Sequence, residues 1–299
     1  MIESDWPPFR LTEPSSLAVL PIVLSSPHSG RHYPDSLLAE LRLPPRALRP
    51  LEDGPVDRIA EAACGVGATL IAATFPRAFV DLNRHAAELD PDLVSPSPAG
   101  LRMSPKVRAG LGVIPSCLAG RRLYDRPLSA AAVAGRLGTA YRPYHERLGR
   151  LLAEHRRRFS AALLLDCHSM PSAGQGEAAA DVVLGDRFGR AAHPDVVAAA
   201  FELLRRHGLK VGRNRPYAGG FITEHYGRPV DGISALQVEF SRRLFLDERT
   251  CEPLPGLGGL PELFREVVLG LGPVVASSRP LAPGVVVAPD VETGLLAAD

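Results

Sequence analysis

The sequence predicts an α/β fold with three layers, α/β/α, around a mixed, mostly parallel sheet. Three observations point there. Apolar, strand-like runs alternate with helical patterns over most of the chain, as crossover units require. Several of those runs stop abruptly in polar residues, and strand ends are where ligands meet an open α/β sheet. The 299 residues, 45% hydrophobic and 22% charged, suffice for a sizeable core. With no internal repeat and no Pro/Ser linker, one domain is expected over residues 1–275. A poorly ordered Pro- and Ala-rich tail is expected over 276–299.

The elements follow in order. "LAVLPIVLSSPHSG" (17–30) predicts a strand near 20–26 with His28 just past its end. "GPVDRIAEAACGVG" (54–67) has helical spacing and closes on glycine. "ATLIAATF" (68–75) and "RAFVDLNRH" (77–85) predict two more strands, separated by Pro76. Residues 90–127 are rich in Pro, Gly, Ser and Arg and read as a long loop, a pocket wall or lid. The 127–159 stretch is helical, kinked or restarted at Pro143. "AALLLDCHS" (161–169) predicts the central strand. A strand at 180–186, a helix at 193–208 and a short strand at 209–214 come next. "YAGGFITEHYG" (217–227) reads as a glycine-bearing loop, "SALQVEFSRRLF" (234–245) as a strand, and 260–272 as a last helix.

Bulk properties exclude several functions. A formal net charge of +1 argues against nucleic acid or an acidic membrane as partner. No apolar stretch reaches the ~18 residues of a membrane span, and "MIESDWPPFRL" lacks the pattern of a signal peptide. Four widely spaced cysteines without a CxxC suggest reduced thiols and a cytoplasmic protein. GxGxxG, Walker and HExxH motifs are absent.

The chemistry-bearing residues cluster at predicted strand ends: His28; Asn83 and Arg84; Asp166, Cys167 and His168; Glu239 with Arg242. Read singly, most have ordinary explanations. His28 suits a turn, Asp53 a helix N-cap, Asp57 the first turn of a helix, and Asn83–Arg84 a strand-end ion pair. Glu239 differs, because a carboxylate inside "ALQVEF" needs a partner or a function. Read together, two histidines and a carboxylate are the ligands of an open catalytic zinc site. A nearby glutamate can serve as general base, and an arginine can hold a substrate carboxylate. Cys167 and His168 are adjacent on a strand and point to opposite faces, so a Cys/His nucleophile is not expected. His225 lies beside Gly219 and Gly220 and can line a pocket.

The ordered set of motifs resembles the N-formylglutamate amidohydrolase family. "SSPHSGRHYP", "EDGPVDRI", "FPRAFVDLNR", "YRPYHERL", "LLLDCHSMPS", "DVVLGDRFG", "NRPYAGGFITEHYG" and "ALQVEFSRRLF" look like its segments, in the family's order, over about residues 20–248. The resemblance implies a zinc-carboxypeptidase-like fold and hydrolysis of the formyl amide of N-formyl-L-glutamate, or of a close N-acyl amino acid. It implies Zn2+, or another divalent metal, on His28, Asp53 and His168, with Glu52 a rival to Asp53. It makes Glu239 the general base, and Asn83 and Arg84 the grip on a substrate carboxylate. Tyr217, Gly219, Gly220, His225 and Arg242 would contribute to the pocket. The family segment has Trp-Tyr after the aspartate, where this chain has Gly54-Pro55.

Overall fold

The computed structural model describes residues 6–16, 18–172 and 179–282. Its centre is a seven-stranded sheet: β1 (Phe9–Thr12), β2 (Ile22–Ser26), β3 (Thr69–Ala73), β4 (Ala162–Met170), β5 (Val182–Gly185), β6 (Val211–Arg213) and β7 (Ile233–Ser241). The spatial order is β1-β3-β2-β4-β7-β5-β6. Strands β3, β2, β4 and β7 are parallel. At one edge β1 runs antiparallel to β3. On the other side β5 runs antiparallel to β7 and carries β6 parallel to itself. The mixed, mostly parallel α/β architecture expected from the sequence is therefore present.

The alternation of side chains along β4 explains both layers. Leu163, Leu165 and Cys167 face one core, together with Leu236, Val238 and the helices α1 (Val56–Glu61), α3 (Pro194–Arg206) and α5 (Leu260–Ser277). Ala162 and Leu164 face the other core, which is covered by α2 (Arg142–Phe159). All nine residues of β4 are buried, as expected of a central strand with helices on both faces. Each buried leucine there contributes about 2 kcal/mol through the apolar surface it removes from water. Helix α2 buries Tyr144, Leu148, Leu151, Leu152 and His155, one stripe at helical spacing. Asp166 and His168 continue the row of Ala162 and Leu164, so the sheet delivers them to the α2 side.

Two expectations need correction, and the restart expected at Pro143 is present. Residues 77–85 form turns rather than a strand. Pro76 opens a turn closed by the Phe79 N–H, and the edge of β3 that such a strand would need is already held by β1. That edge strand, four half-buried residues long, was too short to stand out in the sequence. The 217–227 segment is not all loop, because Phe221–Tyr226 forms a helix, α4. The long helical stretch is divided by a π-helical segment at Leu137–Tyr141. Pro143 sits in the first turn of α2 just after it, where the wider turn accommodates a residue without an N–H.

The 90–127 region is mostly irregular but holds a short helix, Pro105–Arg108, and a two-residue hairpin pairing of Cys117–Leu118 with Arg121–Arg122. The last helix runs beyond 272 to Ser277. Most of the expected tail, 283–299, lies outside the described residues. No helix among the described residues is long and apolar enough to cross a membrane.

Candidate metal centre and active site

His28 stands in the turn after β2. That turn lies so close to the neighbouring chain that a Cβ on Gly30 would fall 1.9 Å from the Phe75 carbonyl oxygen. Glycine is needed here for approach, not for φ. Asp53 follows a single 3-10 segment and precedes α1, and its N–H donates to the His28 carbonyl at 3.1 Å. His168 comes from β4. These three side chains are buried, and one ligand atom from each lies within 4.8 Å of the others. Asp53 Oδ2 is 2.8 Å from His168 Nδ1 and 3.3 Å from His28 Nδ1. The helix-cap reading of Asp53 therefore gives way, since no side chain caps the start of α1.

The far side of each imidazole is anchored. His28 Nε2 is 2.8 Å from Asp81 Oδ1, and His168 Nε2 is 3.1 Å from Asp166 Oδ2. With a metal bound, a proton on each Nε2 would face these carboxylates and free both Nδ1 lone pairs for the ion. Carboxylate partners of this kind fix the tautomer and ring orientation of metal-binding histidines. Asp81 is in turn held by Arg77 Nε at 2.7 Å and the Asn83 N–H at 2.8 Å. Asp166 accepts from Ser25 Oγ at 3.1 Å. Sequence reasoning placed Asp166 at a strand end without giving it a role, and it gave none to Asp81, Arg77 or Ser25. The available signal was spacing: Asp166 is two residues before His168, hence on the same face.

Charge supports a cation between the three ligands. Asp53, Asp81, Asp166 and Glu239 are all buried, and Arg77 is the cation closest to them in the hydrogen-bond network. Buried charges need compensation. Without a metal, protons supply it. Burial alone would raise Asp53, but the bonds from His168 and His28 hold its carboxyl well below the usual range. Burial alone would lower His168, but Asp166 and Asp53 hold its imidazole well above the ordinary value. A divalent ion would take the place of that proton, so the donor set fits one.

Glu239 on β7 is the direct cross-strand neighbour of His168. Burial, reinforced by Asp53 and Asp166, pushes its carboxyl up to about 7, while His168 and Arg77 oppose the shift. Gln237, two residues earlier on the same face, donates from Nε2 to Glu239 Oε1 at 2.8 Å and accepts the Gly220 N–H on Oε1 at 2.8 Å. This clamp went unrecognised in the sequence, where Gln237 reads as one polar residue in an apolar run.

The remaining predicted residues divide. Asn83 Nδ2 is 3.0 Å from His168 Nε2 and 3.4 Å from Asp166 Oδ2, and its Oδ1 accepts the Ile222 N–H at 2.8 Å. Arg84 donates from Nε to the Leu111 carbonyl at 3.0 Å and from Nη1 to the Asn83 carbonyl at 2.8 Å. Gly220 packs on Asn83 so closely that an added Cβ would sit 2.4 Å from Nδ2. Gly220→Ala should therefore cost about 1–3 kcal/mol through overpacking, read as a lowered Tm. Tyr217 is half-buried; burial raises its phenol, which lies within electrostatic reach of Glu239, Arg242 and Asp53. Arg242 donates to Ser169 Oγ at 3.0 Å and to the Glu52 carbonyl, and lies 3.7 Å from Asp53 Oδ1. His225, exposed on α4, packs instead on Phe221 and Tyr226. Glu52 is engaged by the Tyr33 hydroxyl. Cys167 is buried on the opposite face, and burial pushes its thiol well up, away from reactivity.

A cavity of about 360 Å³ lies beside this centre. It reaches Glu52, Gly54 and Arg242, which flank Asp53, but its lining does not include the three candidate ligands or Glu239.

Two imidazoles and a carboxylate that could hold one metal ion, with a buried glutamate alongside on a mixed α/β sheet, are an arrangement that can activate a water for hydrolysis. Residues 20–246 match the family model described as N-formylglutamate amidohydrolase, and the chain belongs to that family. It is 30% identical over 257 residues to an N-formylglutamate deformylase of Pseudomonas aeruginosa, covering 83% of this chain and 90% of that protein. A Pseudomonas putida N-formylglutamate deformylase is 31% identical over 238 residues, covering 77% and 83%. The crystal structure of an N-formylglutamate amidohydrolase from Ralstonia eutropha JMP134 superposes with a TM-score of 0.85 at 36% identity. The match covers 90% of this chain and 99% of that one.

Proposed function

We propose that this protein hydrolyses the formyl amide of N-formyl-L-glutamate to formate and glutamate, using a divalent metal, zinc by choice of ligands, on His28, Asp53 and His168. The observation that carries this reading is the pairing of Glu239 with His168 across β7 and β4, beside the triad. The names of the relatives support the substrate. When bound, the metal supplies Lewis acidity and makes a water easier to deprotonate. Glu239 accepts the proton of that water as its oxygen attacks the formyl carbon. Gln237 holds Oε1, which leaves Oε2 to carry the proton. As the C–N bond breaks, Glu239 returns the proton to the leaving amine. Arg84, Asn83, Tyr217, Gly220, His225 and Arg242 remain the proposed surroundings of the substrate, with Arg84 and Arg242 as cations for its carboxylates.

Asp53, Gly54 and Pro55 favour a second reading, in which the same centre removes a different acyl group. Gly54 has φ +66° and no room for a Cβ, which would meet Leu246 Cδ1 at 2.6 Å. The aromatic pair of the family segment has no counterpart here, and Gly54 and Pro55 leave a smaller, non-aromatic surface beside Asp53.

The test is formate release from N-formyl-L-glutamate, before and after chelation and after zinc is restored, alongside a panel of N-acyl amino acids. Activity that is lost and regained with N-formyl-L-glutamate as best substrate is expected. Turnover of another panel member alone would favour the second reading. No turnover of any member by metal-loaded protein would reject both.

A further inference from the structure

The cavity beside Gly54 is lined by Arg31, Arg46, Arg49, Arg58 and Arg242. Against these five arginines it sets two glutamates, Glu52 and Glu252. Both glutamates are already engaged: Glu52 by the Tyr33 hydroxyl and Glu252 by Arg49 Nη1 at 2.7 Å. Arg31 is held by Asp57, with contacts of 2.6 and 3.1 Å. Arg46 and Arg58 take no ion pair among the described residues, and both are exposed. Arg242 spends its hydrogen bonds on Ser169 Oγ and on the carbonyls of Pro50 and Glu52, and shares Asp53 with two histidines. Arg46 and Arg58 thus border one concave space without a carboxylate partner among the described residues, and Arg242 beside them has only a shared one. Guanidinium groups match carboxylates in shape and charge. A volume of about 360 Å³ suits a small metabolite.

We infer that this cavity is a binding site for a small polycarboxylate, and that Arg242 couples its occupation to the metal centre. A carboxylate on Arg242 competes with Asp53 for that guanidinium. It adds negative charge near a metal ligand and draws positive charge away from it. Both effects favour a cation between His28, Asp53 and His168, so occupation tightens metal binding. Linkage makes the effect reciprocal: bound metal tightens the polycarboxylate. The inference does not depend on which amide the centre cleaves.

The probe is tricarballylate, a tricarboxylate without the chelating hydroxyl of citrate, titrated calorimetrically into the full-length, metal-loaded protein at low salt. One saturable site is expected, weakened about tenfold by each of Arg46→Ala and Arg58→Ala. The metal dissociation constant, measured against a chromophoric chelator, should fall in the presence of tricarballylate. Absence of binding, or binding indifferent to both substitutions, overturns the site. Unchanged metal affinity at saturation overturns the coupling. Kinetics then separate the two sources of the carboxylate. If the occupant is the substrate's own carboxylate, tricarballylate raises KM alone, and so do the two substitutions. If it is a separate effector, KM stays and kcat moves.

Discussion

Glu239→Gln is expected to lower kcat by about a thousandfold with little change in bound metal. The substitution keeps the shape of the side chain and its place beside Gln237, but removes the group proposed to accept and return the proton. Metal content by atomic emission and KM should stay near the parent values, which separates a lost base from a damaged site. The same carboxylate sets a pH dependence. Its pKa is pushed up to about 7 by burial, and it works only when ionised. The rate therefore rises with pH through its titration. A divalent cation beside it favours the ionised form, so the acid limb of kcat/KM should fall below about 7 in metal-loaded protein. An E239Q protein that retains near-normal kcat would remove the glutamate from the mechanism.

His28→Ala and His168→Ala should each abolish stoichiometric metal binding and reduce turnover to background, and added zinc should not restore either. Among the described residues two nitrogens and one carboxylate converge at the candidate centre, so losing one leaves too few ligands to hold the ion and open a water position. Acid should act in the same direction. The imidazole of His168 is held well above its usual pKa by Asp166 and Asp53, so below that value its proton competes with the metal. Metal affinity should rise with pH until His168 is deprotonated. Asp81→Asn is a milder version of the same experiment. It leaves all three ligands but loosens His28, at a cost of about 10–100-fold in affinity.

Much of this was legible in the sequence, for identifiable reasons. His168 and Glu239 end or interrupt buried apolar runs, where a charged group stands out because it is costly. The α/β class followed from the alternation of apolar strand-like runs with helical patterns along the chain. The segment at 77–85 misled because Phe79, Val80 and Leu82 are as apolar as a strand, yet they are buried as turns by tertiary packing. The occupied edge of β3 is a long-range fact that no local pattern carries. Gln237 and Arg77 escaped for a related reason. Their roles exist only once β7 meets α4 and the turn at Pro76 brings Asp81 under His28.

The antiparallel strand β1 has one more consequence, for the behaviour of the chain in a crowded solution. Strand β3 reads "TLIAA" and every residue in it is buried. Its backbone would otherwise present a free row of amides and carbonyls on an apolar ribbon, a template for recruiting a strand from another molecule. Four residues at the amino end, Phe9–Thr12, cover that row in register. The opposite border of the sheet is β6, only three residues long. A chain shortened past Thr12 would keep every residue of the candidate metal centre and yet carry an adhesive edge, so its loss would show first as insolubility rather than as lost chemistry.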